Sequence, residues 1–160
     1  MSTTVVPAID MDKLNAFIGQ FVTDLGASVH TGMVVIGEKL GLYKALAGEA
    51  LSSAQLAAKT KTDERYVREW LASQAAAGYI TYDETTRKFS LTAEQAFALA
   101  TEDSPAYLPG AFELALGSLA AVPRITEAFR TEPAWVGTNM WMASFMAAKS
   151  SFAPAMRRIS

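Results

Sequence analysis

The run Asp63 to Leu71, DERYVREWL, constrains the fold more than any other stretch of the chain. Thr62 or Asp63 offers a short side-chain oxygen to the free N–H groups of a first helical turn. Asp63 and Glu64 place negative charge at the positive end of the helix dipole. Tyr66, Val67, Trp70 and Leu71 recur at helical spacing and predict one apolar face. The alanines between Ala72 and Ala77 extend the helix at little side-chain entropy cost, and Gly78 ends it.

What surrounds that helix sets the architecture. Leu42, Tyr43 and Leu46 predict a short helix that stops near Gly48. Ser52 with Gln55 is a capping-box pair, opening a helix that carries Leu56 and Ala57 and ends near Thr60. After the central helix, Tyr79 to Tyr82 reads as a strand, Asp83 to Thr86 as a turn and Arg87 to Ser90 as a returning strand. Thr92 with Gln95 is a second capping box, opening a helix through Phe97 and Leu99. Helix, helix, turn, helix and two-stranded hairpin is the winged helix-turn-helix order. The expected fold class is therefore mainly α, with a two-stranded wing.

Helices flank this unit on both sides. Residues 1–9 read as a flexible leader, and residues 10–41 as N-terminal helices. Leu14, Phe17, Ile18, Phe21, Val22 and Leu25 form one apolar stripe. Gly26 permits a break, after which Val29, Met33, Ile36 and Leu40 resume a second stripe, widened by Val34 and Val35. A small domain does not need this much apolar surface, so the first six residues are the candidate dimer interface, against a second copy of the chain. Residues 42–100 are the winged-helix domain and 101–131 a helical extension. In the extension, Phe112, Leu116 and Leu119 share a helix from about Gly110 to Ala121, Pro123 breaks it, and a shorter helix runs from about Arg124 to Arg130.

Composition excludes several chemistries. With no cysteine, disulfides and thiolate metal sites are ruled out, which is compatible with a cytoplasmic protein. The N-terminus lacks the basic start and apolar core of a signal peptide, and no apolar run is long enough for a membrane span. A net charge of −2 gives no field to attract nucleic acid or an anionic membrane. From Ser52 to Thr92 the cations are Lys59, Lys61, Arg65, Arg68, Arg87 and Lys88, against Asp63, Glu64, Glu69, Asp83 and Glu84. That near balance is a poor start for binding phosphates, and the acidic pair sits where a recognition helix would enter the groove. DNA is therefore not the expected partner.

No residue set reads as catalytic, cofactor-binding or metal-ligating. His30 is the single histidine, without a carboxylate pattern to orient it, and is expected as a partly exposed helical residue. Asp83 and Glu84 suit a hairpin turn rather than an acid–base pair. Tyr66 and Trp70 could wall a small-molecule pocket, but core packing is the expected role, above all for Trp70.

Three runs carry a resemblance to a known family: VVIGEKLGLYKAL (Val34 to Leu46), TDERYVREWLASQAAAGYI (Thr62 to Ile80) and FSLTAEQAFAL (Phe89 to Leu99). They resemble the N-terminal part of class I S-adenosylmethionine-dependent methyltransferases, in particular an actinobacterial-type group with a winged-helix N-terminal domain. The likeness spans about residues 10 to 130. It implies a part that pairs subunits into a homodimer and helps wall the pocket for a small-molecule methyl acceptor. Under that resemblance Phe112, Leu116 and Leu119 are the candidate pocket wall. The family's S-adenosylmethionine is held by a separate Rossmann-like domain, built on a glycine-rich loop after a strand and a following acidic residue. No stretch of this sequence offers that arrangement, so no cofactor is expected in this chain and methyl transfer by it alone is not expected.

From Pro133 to Ser160 there is no acidic residue, and two of the three tryptophans fall there, at Trp135 and Trp141. A back-translation slipped by one base permits runs similar to that family's continuation. Residues 132–160 are accordingly expected to be a frameshifted tail, which the DNA sequence would decide. The expected function is a noncatalytic dimerisation and substrate-lid domain of a methyltransferase, present as a truncated chain. The alternative is a winged-helix DNA-binding transcription regulator, and a weaker third is a module that captures a hydrophobic small molecule.

Overall fold

The computed structural model describes residues 9–131 of the chain. The leader, apart from Ile9, and the tail 132–160 lie outside the described residues, and with them the expectation of a frameshifted segment.

One long helix, α1 (Met11–Lys39), replaces the two expected on either side of Gly26. Its N-cap is Asp10, whose carboxylate accepts from the backbone N–H of Asp12 at 3.1 Å and of Lys13 at 3.2 Å. A glycine inside a helix costs about 1 kcal/mol relative to alanine but removes no hydrogen bond, so the ladder runs through Gly26 unbroken. Gly41, at φ 67°, turns the chain into α2 (Leu42–Leu46). Four of the five residues of α2 are buried, and its shortness is offset by that packing.

Both capping boxes form. Ser52 Oγ accepts from Gln55 N at 3.3 Å while Gln55 Oε1 accepts from Ser52 N at 2.9 Å, opening α3 (Ser53–Thr60). Thr92 and Gln95 repeat the exchange at the start of α5 (Ala93–Leu99). Ser52→Ala is expected to cost about 1 kcal/mol of stability, read as a lowered urea midpoint with an unchanged slope.

Between these lies α4 (Glu64–Ala76), capped by Asp63, whose carboxylate accepts from Arg65 N at 2.9 Å. Gly78 follows at φ 75°, a backbone region that glycine enters without steric penalty. The wing is β1 (Thr81–Asp83) paired antiparallel with β2 (Lys88–Ser90), with Tyr82 opposite Phe89. Asp83 closes the turn by accepting from Thr85 N at 2.9 Å and Thr86 Oγ1 at 2.7 Å, as expected of a turn aspartate. A third stretch joins the wing: Leu51 and Phe89 exchange backbone hydrogen bonds at 2.9 and 2.8 Å.

The chain ends, among the described residues, in α6 (Pro109–Ala120) and α7 (Val122–Thr131). The expected interruption falls at Ala121, and α7 begins slightly earlier than expected, with Pro123 in its first turn, where a missing N–H leaves no bond unmade. Pro109 is buried and begins α6, which lies against α1.

The core forms where α1, α2, α3 and α4 meet. Val34, Tyr43, Leu46, Leu56, Trp70 and Leu71 lie at its centre. Trp70 fills the seam between α4 and α1: its Nε1–H donates to the carbonyl of Met33 at 2.8 Å, and its ring meets Tyr43 edge-on at 5.1 Å. Gly37 is what lets α1 come so close, since a Cβ there would stand 2.8 Å from Tyr43 Cε2 and 2.9 Å from Trp70 Cε2. Tyr66 departs from expectation. It is 75% exposed, because it sits a turn away from Trp70 on the edge of the buried face rather than within it.

Candidate functional site

Helix α1 is apolar on two sides, and the domain uses only one. Towards its C-terminal end, Thr31, Val34, Val35 and Gly37 are buried. Val29, Ile36 and Leu40 point away from them and are exposed. With about 3.6 residues per turn, these three continue the stripe of Ile18, Val22 and Leu25 along the same side of the helix.

All of the candidate interface residues lie on that uncovered length. Phe17 is 66% exposed and Phe21 58%; Ile18, Val22 and Leu25 are exposed and Leu14 half-buried. Five of these six side chains are exposed, along a helix of 29 residues, roughly 43 Å long. That is more contiguous exposed apolar side chain than scattered surface residues supply.

The candidate pocket wall lies on α6. Phe112 is half-buried and packs against the core, its ring 6.3 Å from that of Tyr79. Leu116 is half-buried and Leu119 exposed. The three therefore do not share one environment. The helix also holds α1 through an ion pair, Lys39 Nζ to Glu113 Oε1 at 2.8 Å. Both groups are well exposed, so the pair contributes little against solvent screening.

His30 is a half-buried helical residue, as expected, but its ring has a partner that the sequence did not indicate. Its ring meets Tyr79 edge-on at 4.6 Å, and its Nε2 is buried without a hydrogen-bond partner among the described residues. Burial holds its pKa below the ordinary imidazole value. Sequence reasoning missed this group because Tyr79 is far along the chain and neither residue belongs to a motif. A second buried polar group was missed for the same reason: Gln74 is fully buried, and its Oε1 accepts from the Tyr43 hydroxyl at 2.6 Å.

The outward face of α4 is tied down at its N-terminal end. Glu64 accepts from Ser53 Oγ at 2.7 Å and pairs with Arg68 at 3.5 Å. The acidic pair thus remains at the end of α4 that a DNA-reading helix presents to the groove. Among the described residues no group of histidine and carboxylate side chains could hold a metal ion, and no helix is long and apolar enough to cross a membrane.

These elements, two capped helices at an angle followed by a paired hairpin, define a winged helix-turn-helix domain with a long helix before it and helices behind. Residues 28–101 match the family model of the Rv2258c-like winged HTH domain. No curated protein matches the chain. Among solved structures, it is similar to an O-methyltransferase family protein from Burkholderia thailandensis, at 20% identity and TM-score 0.56, over 79% of this chain and 35% of that one. It is also similar to the mitomycin 7-O-methyltransferase MmcR, at 21% identity and TM-score 0.59, over 75% of this chain and 36% of that one. A third is CalO1, a methyltransferase in calicheamicin biosynthesis solved in its SAH-bound form, at 20% identity and TM-score 0.58, over 92% of this chain and 45% of that one. The chain thus spans less than half the length of each of these structures.

Proposed function

We propose that this chain supplies the pairing and substrate-lid part of an S-adenosylmethionine-dependent methyltransferase. The observation that carries the reading is the uncovered apolar stripe of α1, set on a winged-helix domain that shares its fold with part of O-methyltransferases. Leu14, Phe17, Ile18, Phe21, Val22 and Leu25 are its homodimer interface, and residues 10–41 its pairing arm. Residues 42–100 are the winged-helix scaffold, and the extension 101–131 carries the wall formed by Phe112, Leu116 and Leu119. The whole methyltransferase would move a methyl group from S-adenosylmethionine to a small-molecule acceptor in the cytoplasm. DNA binding is disfavoured by the paired and acidic N-terminal end of α4.

Two measurements on the purified chain test this reading together. Sedimentation is expected to give the mass of two chains, and calorimetric titration with S-adenosylmethionine to give no heat of binding. A monomer throughout the micromolar range would remove the pairing role. Stoichiometric binding of the methyl donor would show a cofactor site within this chain and overturn the division of labour.

A further inference from the structure

His30 stands where three elements meet. It projects from the core side of α1, touches Tyr79 edge-on at 4.6 Å, and through Tyr79 is linked to Phe112 of α6, whose ring lies 6.3 Å beyond. The contacts of α6 with the body of the domain include this aromatic line and the exposed Lys39–Glu113 pair. An imidazolium in that position needs an anion or water at both nitrogens, and its Nε2 is buried with no hydrogen-bond partner among the described residues.

The titratable and charged groups on the packed elements give it no compensation. On α1 itself, Lys39 is engaged by Glu113 of α6. On α2, Lys44 pairs with Glu102 at 2.5 Å, and Tyr43 is turned to Gln74. On α4, Glu64 and Arg68 pair with each other, while Arg65 and Glu69 are exposed. The one titratable side chain in ring contact is Tyr79, whose hydroxyl burial pushes further above neutrality, so that it stays uncharged.

We propose that His30 makes the seating of α6 on α1 and Tyr79 sensitive to pH, closed while the imidazole is neutral and loosened when it takes a proton. A neutral histidine held by burial has a folded pKa below that of the unfolded chain. Its contribution to seating is therefore fully present above about pH 6.5 and is lost as pH falls towards the lowered folded value. Because α6 carries Phe112, Leu116 and Leu119, acidification would displace the proposed pocket wall. That last consequence rests on the methyltransferase reading, whereas the seam itself does not.

The full chain contains one histidine, so its imidazole proton resonance is assigned without ambiguity. Its titration by NMR is expected to give a midpoint below that of free imidazole. In parallel, amide exchange across 109–120, corrected for the intrinsic effect of pH, is expected to lose protection by up to about tenfold per pH unit between about pH 6.5 and that midpoint, and to level off below it. Protection across 64–76 should hold, and in His30→Gln the response of 109–120 should disappear. A midpoint at or above the free value, unchanged protection of α6 across it, or the same loss in His30→Gln would each overturn the proposal. If His30→Gln does not fold, a wild-type loss that begins near about pH 6.5 and levels off at the imidazole midpoint supports the proposal, and a loss that continues undiminished below that midpoint overturns it. Neither readout depends on dimerisation or on the methyl donor.

Discussion

Trp70→Ala is expected to destabilise the domain by about 3–5 kcal/mol, on the scale of other large-to-small substitutions of buried aromatics. The indole is almost fully buried, donates to the Met33 carbonyl at 2.8 Å, and meets Tyr43 at 5.1 Å. Removing it leaves a cavity between α4 and α1 and takes away the second hydrogen bond to the Met33 carbonyl. A domain of this size has roughly 5–15 kcal/mol in total, so the variant should unfold at much lower urea or not fold at all. The complementary change is Gly37→Ala, which pushes a methyl group into the same indole and costs about 1–3 kcal/mol as overpacking. The two effects should not add. With the indole gone, only the Tyr43 Cε2 contact at 2.8 Å still crowds the added methyl, and Gly37→Ala should cost less in Trp70→Ala than in the wild type. Equal costs in both backgrounds, measured by urea titration, would show that Gly37 is not there to admit Trp70.

On the proposed pairing, Phe21→Glu combined with Leu25→Glu is expected to give a monomer at micromolar concentration, with no loss of helical circular dichroism from the winged-helix domain. Both side chains are exposed, so the folded monomer loses no packing when they change. In a pair, each carboxylate would be buried against the partner's apolar stripe, and an uncompensated buried charge costs several kcal/mol. Because a two-fold contact repeats each substitution, two changes in the sequence place four charges in the interface. A pair that survives these substitutions would place the contact elsewhere than on this stripe. A loss of helicity would mean instead that α1 depends on the stripe for its own folding. Substituting Arg65, on the exposed face of α4, serves as the control that should leave the mass unchanged.

Much of the architecture was legible because the signals were local. The sequence marks Ser52 and Thr92 as caps and offers Thr62 or Asp63 for the central helix; Ser52, Asp63 and Thr92 are the residues that cap. Each needs only backbone groups two or three residues away, so a short window of sequence contains the whole interaction. The wing was placed for the same reason, with Asp83 turning the chain through its own carboxylate. The Leu51–Phe89 bridge was not legible, since no nearby residue announces a pairing 38 positions away. Gln74 was hidden too: it belongs to no motif, its Oε1 is satisfied by the distant Tyr43 hydroxyl, and its buried Nε2 has no hydrogen-bond partner among the described residues.

The candidate site divides along the same line. That α1 carries more apolar surface than the domain can use follows from its periodicity, and so does the position of the stripe. Which side of the helix meets the core does not follow, because Val34 and Ile36 are equally apolar, yet one is buried and the other exposed. Tyr66 and Trp70 show the same ambiguity on α4. Sequence by itself determined where the capped helices begin and where the hairpin turns, because those events are settled by hydrogen bonds between near neighbours; it did not determine that α1 runs on through Gly26. Tertiary structure alone decided which apolar side of α1 faces inward, that His30 lies against Tyr79, and that Trp70 and Gly37 share one space, because each depends on contacts between residues far apart in the chain.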